Sequence, residues 1–429
     1  MPSHRTPVAL LLPTFLMLFV GTATGQTPIE FADSGQALDE GSSTCIAVGD
    51  LDGDGDDDAI VTNCCGQPNT VWTNDGTGTF TESEQTLGDS GLTVVLGDCD
   101  GDNDLDAVIV ISNQPNSVWI NDGNGTFTDT QQDIGRINSS FLVLADLDGD
   151  EDLDAIFTNR NTGDEVVTVA HNDGNGNFTN SSEYLLGTLW TYSVAFGDLN
   201  GDGHLDAVLA ENFGQPNRIM FNNGDGTFTG SDQALGNSTS LTVSLGDLNG
   251  DGHLDALFSN FNNEPDTVWF NDGNGTFTDS GQTLGENASI QANLADFDDD
   301  GDFDVILCNL EDANTIWTND GNGIFTESDQ VLGGIDSFTV GLGDFDGDDD
   351  VDVMLANAFD EPANTVWFNV TGEIGETCPA DLTNDGQVDG ADLTVLLAGW
   401  NTSAADINGD GNTDGADLTI LLGAWDVCP

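Results

Sequence analysis

Asp50-Leu51-Asp52-Gly53-Asp54-Gly55-Asp56-Asp57-Asp58 runs directly into the apolar stretch Ala59-Ile60-Val61. A carboxylate-dense turn thus precedes a short β-forming run. The pattern returns with first aspartates at Asp98, Asp146, Asp198, Asp247, Asp296 and Asp344, at spacings of 48, 48, 52, 49, 49 and 48 residues. Two other landmarks keep the same beat. Phe80, Phe127, Phe178, Phe228, Phe277 and Phe325 each follow a Gly-rich turn such as Asn121-Asp122-Gly123-Asn124-Gly125. Trp72, Trp119, Trp269, Trp317 and Trp367 recur too, with Ala170 and Met220 in the two remaining repeats. A period of about 50 residues with strand patterning predicts propeller blades rather than helical arrays.

One repeat reads as four strands. Ser240 to Leu245 alternates and is rich in β-formers. After the acidic turn, Leu254 to Phe258 is apolar apart from Asp255, as a strand buried on both faces should be. Thr267 to Asn271 and Thr276 to Asp279 flank a tight Gly-Asn-Gly turn, a hairpin signal. Asn-Gly and Asp-Gly steps suit tight hairpins, so these turns read as turns and not as further ion sites. The last repeat stops after Trp367, before its fourth strand. Glu30-Phe31-Ala32-Asp33-Ser34-Gly35-Gln36 resembles Thr276-Phe277-Thr278-Asp279-Ser280-Gly281-Gln282. The N-terminal strand is therefore expected to complete the last blade and lock the ring.

Within the acidic nonapeptide, carboxylates at positions one, three, five and nine can converge on one ion, with the position-seven carbonyl filling in. Hard oxygen donors in a tight loop suit calcium. A glycine at position six permits the left-handed turn. The candidate ligands in blades one to three are Asp50, Asp52, Asp54 and Asp58; Asp98, Asp100, Asp102 and Asp106; and Asp146, Asp148, Asp150 and Asp154. Blades four and five carry Asn at position three: Asp198, Asn200, Asp202 and Asp206, then Asp247, Asn249, Asp251 and Asp255. Blades six and seven offer Asp296, Asp298, Asp300 and Asp304, then Asp344, Asp346, Asp348 and Asp352. Position six is Asn103, Glu151 or Asp349 in three loops; Glu tolerates that backbone least, so blade three is expected to bind more weakly.

These residues and this period resemble the FG-GAP (VCBS-type) repeats of integrin-α-like propellers, over about residues 29–370. The resemblance implies an all-β, seven-bladed propeller of four-stranded blades, with calcium in the hairpin between the first two strands of each. It implies no integrin function, because fold does not carry function.

The charge is extreme: 77 acidic residues face four Lys plus Arg, for a formal charge of -73. The arginines are Arg5, Arg136, Arg160 and Arg218. Such a field repels nucleic acid and anionic membranes. Disorder does not fit, because the acids are clustered between apolar runs. At the N-terminus, His4 and Arg5 precede the apolar Val8 to Val20, and Ala23-Thr24-Gly25 offers small residues for cleavage. Residues 1–25 are expected to be a secretory signal, and the remaining chain soluble and extracellular.

Past a linker at 371–377, residues 378–429 are a tandem duplication. Asp381 to Trp400 matches Asp406 to Trp425 at an offset of 25. The second copy places Asp406, Asn408, Asp410, Asp414 and Asp417 at EF-hand loop positions 1, 3, 5, 9 and 12. The first copy gives Asp381, Thr383, Asp385, Asp389 and Asp392. An apolar helix follows each loop, and none is read before it. The module resembles a type I dockerin, a small α-helical pair of half EF-hands, which implies two more calcium ions and docking to a cohesin on a surface scaffold. Gly390-Ala391 and Gly415-Ala416 stand where dockerins often carry hydroxyl residues, which leaves a plain tethering role open.

Seven cysteines lie beyond the signal. Cys378 and Cys428 bracket the module and are expected to clasp its ends. The pairing of Cys45, Cys64, Cys65, Cys99 and Cys308 stays open; a bond between the neighbours Cys64 and Cys65 would be strained.

No catalytic constellation stands out. Trp190, Tyr192, Arg136, Arg160 and Arg218 are assigned to the face opposite the acidic loops, as a surface for a glycan or protein. The function expected is non-catalytic extracellular recognition or adhesion. The alternative is a component of extracellular polysaccharide degradation, cellulosome-like, with a carbohydrate-binding, hydrolase or lyase propeller. A surface structural protein is a third reading.

Overall fold

The computed structural model describes residues 28–39, 41–159, 167–181, 190–224, 227–334, 337–357, 363–371, 382, 388, 390–400, 402, 405, 407 and 413–423. Residues 1–25, Arg160, Cys378 and Cys428 lie outside them. The described chain contains seven four-stranded antiparallel sheets. Six are sequential meanders. Blade one, for example, comprises Ser43–Gly49, Asp58–Asn63, Pro68–Asn74 and Phe80–Asp89. Blade seven takes Ser337–Gly343, Asp352–Asn357 and Asn364–Asn369 from the end of the ring and Phe31–Leu38 from its start.

Position in the blade explains each strand's composition. The second strand is buried throughout, as in Asp58-Ala59-Ile60-Val61-Thr62-Asn63, so it is almost continuously apolar. The fourth strand lies outermost and is buried at Phe80 and Leu87, with exposed or half-buried polar residues between them and a register shift that breaks strict alternation. It runs longer than its alternation suggested: in blade five it spans Phe277–Leu284, because a register shift lets pairing resume at Thr283.

The core is a set of layers between blades. Leu51, Ile60 and Val71 of blade one meet Val94, Ala107 and Ile109 of blade two. The seam layer joins Leu38, Met354, Ala356 and Val366 of blade seven to Ile46, Val61 and Trp72 of blade one. No sheet could bury such faces alone, so ring closure is where the hydrophobic stabilisation comes from.

Two side-chain devices join neighbours, and neither was visible in the repeat pattern. The asparagine ending the third strand donates to the loop carbonyl of the preceding blade: Asn121 Nδ2 to Leu51 O at 2.8 Å, Asn172 to Cys99 O at 2.7 Å, and Asn369 to Phe297 O at 3.0 Å. A glutamine in the fourth strand, or just after it in blades two and four, clamps the next hairpin. Gln85 Nε2 donates to Gly125 O while its Oε1 accepts from Phe127 N; Gln36, Gln132, Gln233 and Gln282 repeat the pair of bonds. These amides satisfy buried backbone groups that the sheets leave open.

At the opposite end of five blades, a buried asparagine stands at the start of the third strand, whereas blade three has Val167 there. Asn314 Nδ2 donates to Leu332 O and to Ser337 Oγ of the next blade. Blade five carries Asp266 here, accepting from Asn260 N and from Ser289 Oγ. Burial pushes this carboxyl up to about 8. A carboxyl raised on folding contributes stability below its unfolded value, and that contribution is lost as pH rises toward the folded value. Asp266→Asn is therefore expected to stabilise the ring at neutral pH, by on the order of a few kcal/mol. The gain should grow from pH 5 to pH 8 in urea unfolding at fixed calcium; a pH-independent gain would contradict a buried proton here.

Cys64 and Cys65 are joined to each other, in the turn after the second strand of blade one. The sequence reading disfavoured this bond as strained; the turn accommodates it with Cys65 at a left-handed φ of 66°. Cys45 and Cys308 are free thiols within strands, and Cys99 is a free thiol in the acidic loop of blade two. Residues 370–429 belong to a second compact unit, with helices α1 (Gly390–Ala398) and α2 (Gly415–Gly423) packed around Val388, Leu396, Ala405 and Leu421.

Candidate metal centres

Each acidic nonapeptide forms the hairpin between the first and second strands of its blade, so the seven loops lie at equivalent ends of the seven sheets. Local hydrogen bonds shape every loop. The position-one carboxylate gathers amides across the turn: Asp98 accepts from Gly101, Asp102 and Asn103 N. The position-five carboxylate accepts the position-seven amide, as Asp54 does from Asp56 N. Position nine is a strut. Asp106 Oδ2 accepts from Cys99 N at 2.9 Å and Oδ1 from Asn121 N at 2.8 Å, and the same two bonds recur at Asp58, Asp154, Asp206, Asp255, Asp304 and Asp352.

Position three is the exception. Asp52 Oδ1, Asp100 Oδ1, Asp346 Oδ1 and both carboxylate oxygens of Asp298 are buried with no hydrogen-bond partner. A buried unpaired carboxylate oxygen is costly, so native chains pair such atoms or give them a cation. The neighbouring donors are in place. Asp50, Asp52 and Asp58 bring one oxygen each within 4.8 Å of one another, as do Asp98, Asp100 and Asp106, and Asp296, Asp298 and Asp300. This all-oxygen donor set fits a hard divalent cation.

Electrostatics point the same way. Burial, opposed by backbone hydrogen bonds, pushes Asp58 and Asp206 up to about 6, Asp106 and Asp255 to about 7, and Asp304 and Asp352 to about 8. Asp298 reaches about 7 through burial and then repulsion from Asp300 and Asp296. Groups so crowded resist ionising unless positive charge arrives.

Position six takes left-handed φ in every loop, including Asn103 at 75°, Glu151 at 75° and Asp349 at 74°. Glu gains nothing from that conformation, so Glu151→Gly is expected to add about 1 kcal/mol of stability. Urea unfolding at saturating calcium would read it, and no gain would remove the strain from consideration.

In the C-terminal unit, Asp417 Oδ1 accepts from Ile407 N and Oδ2 from Asp414 N, while Asp392 is fully buried. The other ligands expected there, Asp381, Thr383, Asp385, Asp389, Asp406, Asn408 and Asp410, lie outside the described residues.

At the other end of the blades, Trp190 stacks edge-on against Phe213 with ring centroids 5.1 Å apart; they are 43% and 69% exposed. Phe213, in the loop after the second strand of blade four, was not read from the sequence as part of this surface. Asn212 N donates to Trp190 O and holds the two loops together. Tyr192 sits within the first strand of blade four, and its carbonyl accepts from Thr158 Oγ1. Arg218 opens the third strand of blade four, and Arg136 lies in the connection from blade two to blade three.

The FG-GAP-like repeat family matches the chain at residues 50–109, 98–157, 146–209, 198–258, 247–307 and 296–355. Each match begins on the first aspartate of a loop. No curated protein sequence matches the chain significantly. Among solved structures, BBS1N in complex with ARL6DN, soaked with mercury, aligns with a TM-score of 0.53 at 9% identity, covering 80% of this chain and 98% of that one. A candidate 6-phosphogluconolactonase from Bacteroides uniformis aligns with a TM-score of 0.54 at 12% identity, covering 71% and 88%. At these identities the likeness is one of fold.

Proposed function

We propose that this chain, which belongs to the FG-GAP-like repeat family, is an exported calcium-binding recognition protein. The observation that carries the reading is the buried, unpartnered oxygen at position three of four loops. Calcium would be held by positions one, three, five and nine of each loop, and would supply the positive charge that the loops lack. The protein's own part is to present those oxygens from a rigid ring and to hold a separate surface at the far end of the blades. Trp190 and Phe213 form the exposed aromatic pair of that surface, and an aromatic pair of this kind suits the apolar face of a neutral glycan. The repeated half EF-hands would bind two further ions and tether the propeller. The apolar Val8 to Val20 with its basic start supports export.

Calcium binding is tested by mass spectrometry of the native chain and by titration after chelation. Recognition is tested on a neutral glycan array with Trp190→Ala and Phe213→Ala. Loss of signal in both variants supports the surface; binding unchanged in both removes it.

A further inference from the structure

Blade three differs from the rest at one telling position. The residue before the asparagine that ends the third strand is Thr73, Ile120, Phe221, Phe270, Thr318 or Phe368 elsewhere, and His171 here. Its register is the shared one: His171 faces Thr179 as Phe270 faces Thr278. That position lies over the third residue of its own loop. A Cβ on Gly275 would touch both Phe221 and Asn200, and a Cβ on Gly78 both Phe368 and Asp346. A histidine placed there reaches the loop. His171 Nδ1 stands 3.1 Å from Asp154 Oδ2 and 3.8 Å from Asp148 Oδ2. One ligand atom from each of the three residues falls within 4.8 Å of the others. Asp154 is 1% exposed. The loop also differs at the strut: Leu147 N to Asp154 Oδ2 is 3.4 Å, against 2.8–3.2 Å for the same bond in the other blades.

We propose that the loop of blade three takes a borderline transition cation of the zinc class, ligated by Asp148, Asp154 and His171. The inference rests on the loops being cation sites at all. It assigns one of them a different ion. Imidazole nitrogen favours zinc-class ions, whereas calcium takes oxygen almost exclusively. Two ligands on zinc with bonds of about 2.0 Å stand roughly 3.3 Å apart in a tetrahedron, close to the His171–Asp154 separation. The competing account is a His171–Asp154 ion pair that only offsets charge.

The experiment uses the full chain, stripped with EDTA, reloaded in excess calcium, and titrated with zinc by calorimetry. The native chain should take up one zinc equivalent that excess calcium does not displace. His171→Thr, which installs the residue of blades one and six, should weaken that equivalent at least about tenfold. His171→Phe, the residue of blades four, five and seven, is the second variant, and both should melt near the native midpoint. His204 and His253 stand at position seven of the loops of blades four and five, and a chain carrying both His204→Asn and His253→Asn should keep the zinc site. A native chain without a zinc equivalent, or one that survives both His171 substitutions, overturns the proposal. Failure of the calcium reading is seen separately, as no calcium bound before zinc is added.

Discussion

Chelation of calcium at pH 8 is expected to lower the melting midpoint by roughly 20 °C or more. A cation present at a hundredfold excess over its dissociation constant contributes about 2.7 kcal/mol of linkage stability, so the six loops other than that of blade three would together supply roughly 16 kcal/mol. A domain of this size moves about 1–2 °C per kcal/mol. The effect should depend on pH in a defined direction. Without cations, the carboxyls of Asp106 and Asp255 sit at about 7 and those of Asp304 and Asp352 at about 8. Each is raised on folding, so the calcium-free ring loses stability as pH climbs from about 4 toward those values. Bound calcium acts in the other sense, because it requires ionised ligands and protons compete with it. The gap between calcium and EGTA midpoints should therefore be small at pH 5 and wide at pH 8. Scanning calorimetry under the four conditions measures it. Equal midpoints in calcium and EGTA at pH 8 would remove calcium from the account of this protein.

Removing residues 28–38 should abolish cooperative folding of the propeller. That segment supplies the outer strand of blade seven, pairing Phe31 with Asn369 and Leu38 with Asn364. Phe31 packs edge-on against Phe297 at 5.6 Å, and Leu38 fills the layer between blades seven and one. Burying two such side chains is worth about 1.5–3 kcal/mol each. Their loss also exposes the third strand of blade seven as a bare edge, which invites aggregation. The truncated chain should elute as aggregate and melt without a sharp transition. Moving residues 28–38 to follow Asn369, through a Gly-Asn-Gly hairpin like those of the other blades, should restore a monomeric ring. If the truncated chain melts like the native one, the strand does not close the ring.

The repeat architecture was legible because strand burial leaves a direct trace. A strand covered on both faces, such as Asp304–Leu310, is mostly apolar, and an outer strand such as Phe325–Leu332 keeps apolar residues at its buried ends and mostly polar ones between. The loop ligands were legible for a similar reason: nine consecutive residues bring their own carboxylates together, with no help from distant chain. The joining of the ring's two ends could be read as well, since a half-repeat at one terminus matches the gap at the other.

Contacts between blades left no such trace. Gln85 and Asn121 look like ordinary polar residues, and only ring packing sets them against Gly125 and Leu51. Asp266 reads as one more acid among 77 until its burial between blades five and six is seen. His171 looked like a chance replacement in a strand; its meeting with Asp154 needs the third strand laid beside the loop. Phe213 joined Trp190 in the same way, from loops that only the folded sheet brings together. Local chemistry is written along the chain in consecutive residues, whereas the partners of a side chain some 40 or more residues away depend on how the sheets stack.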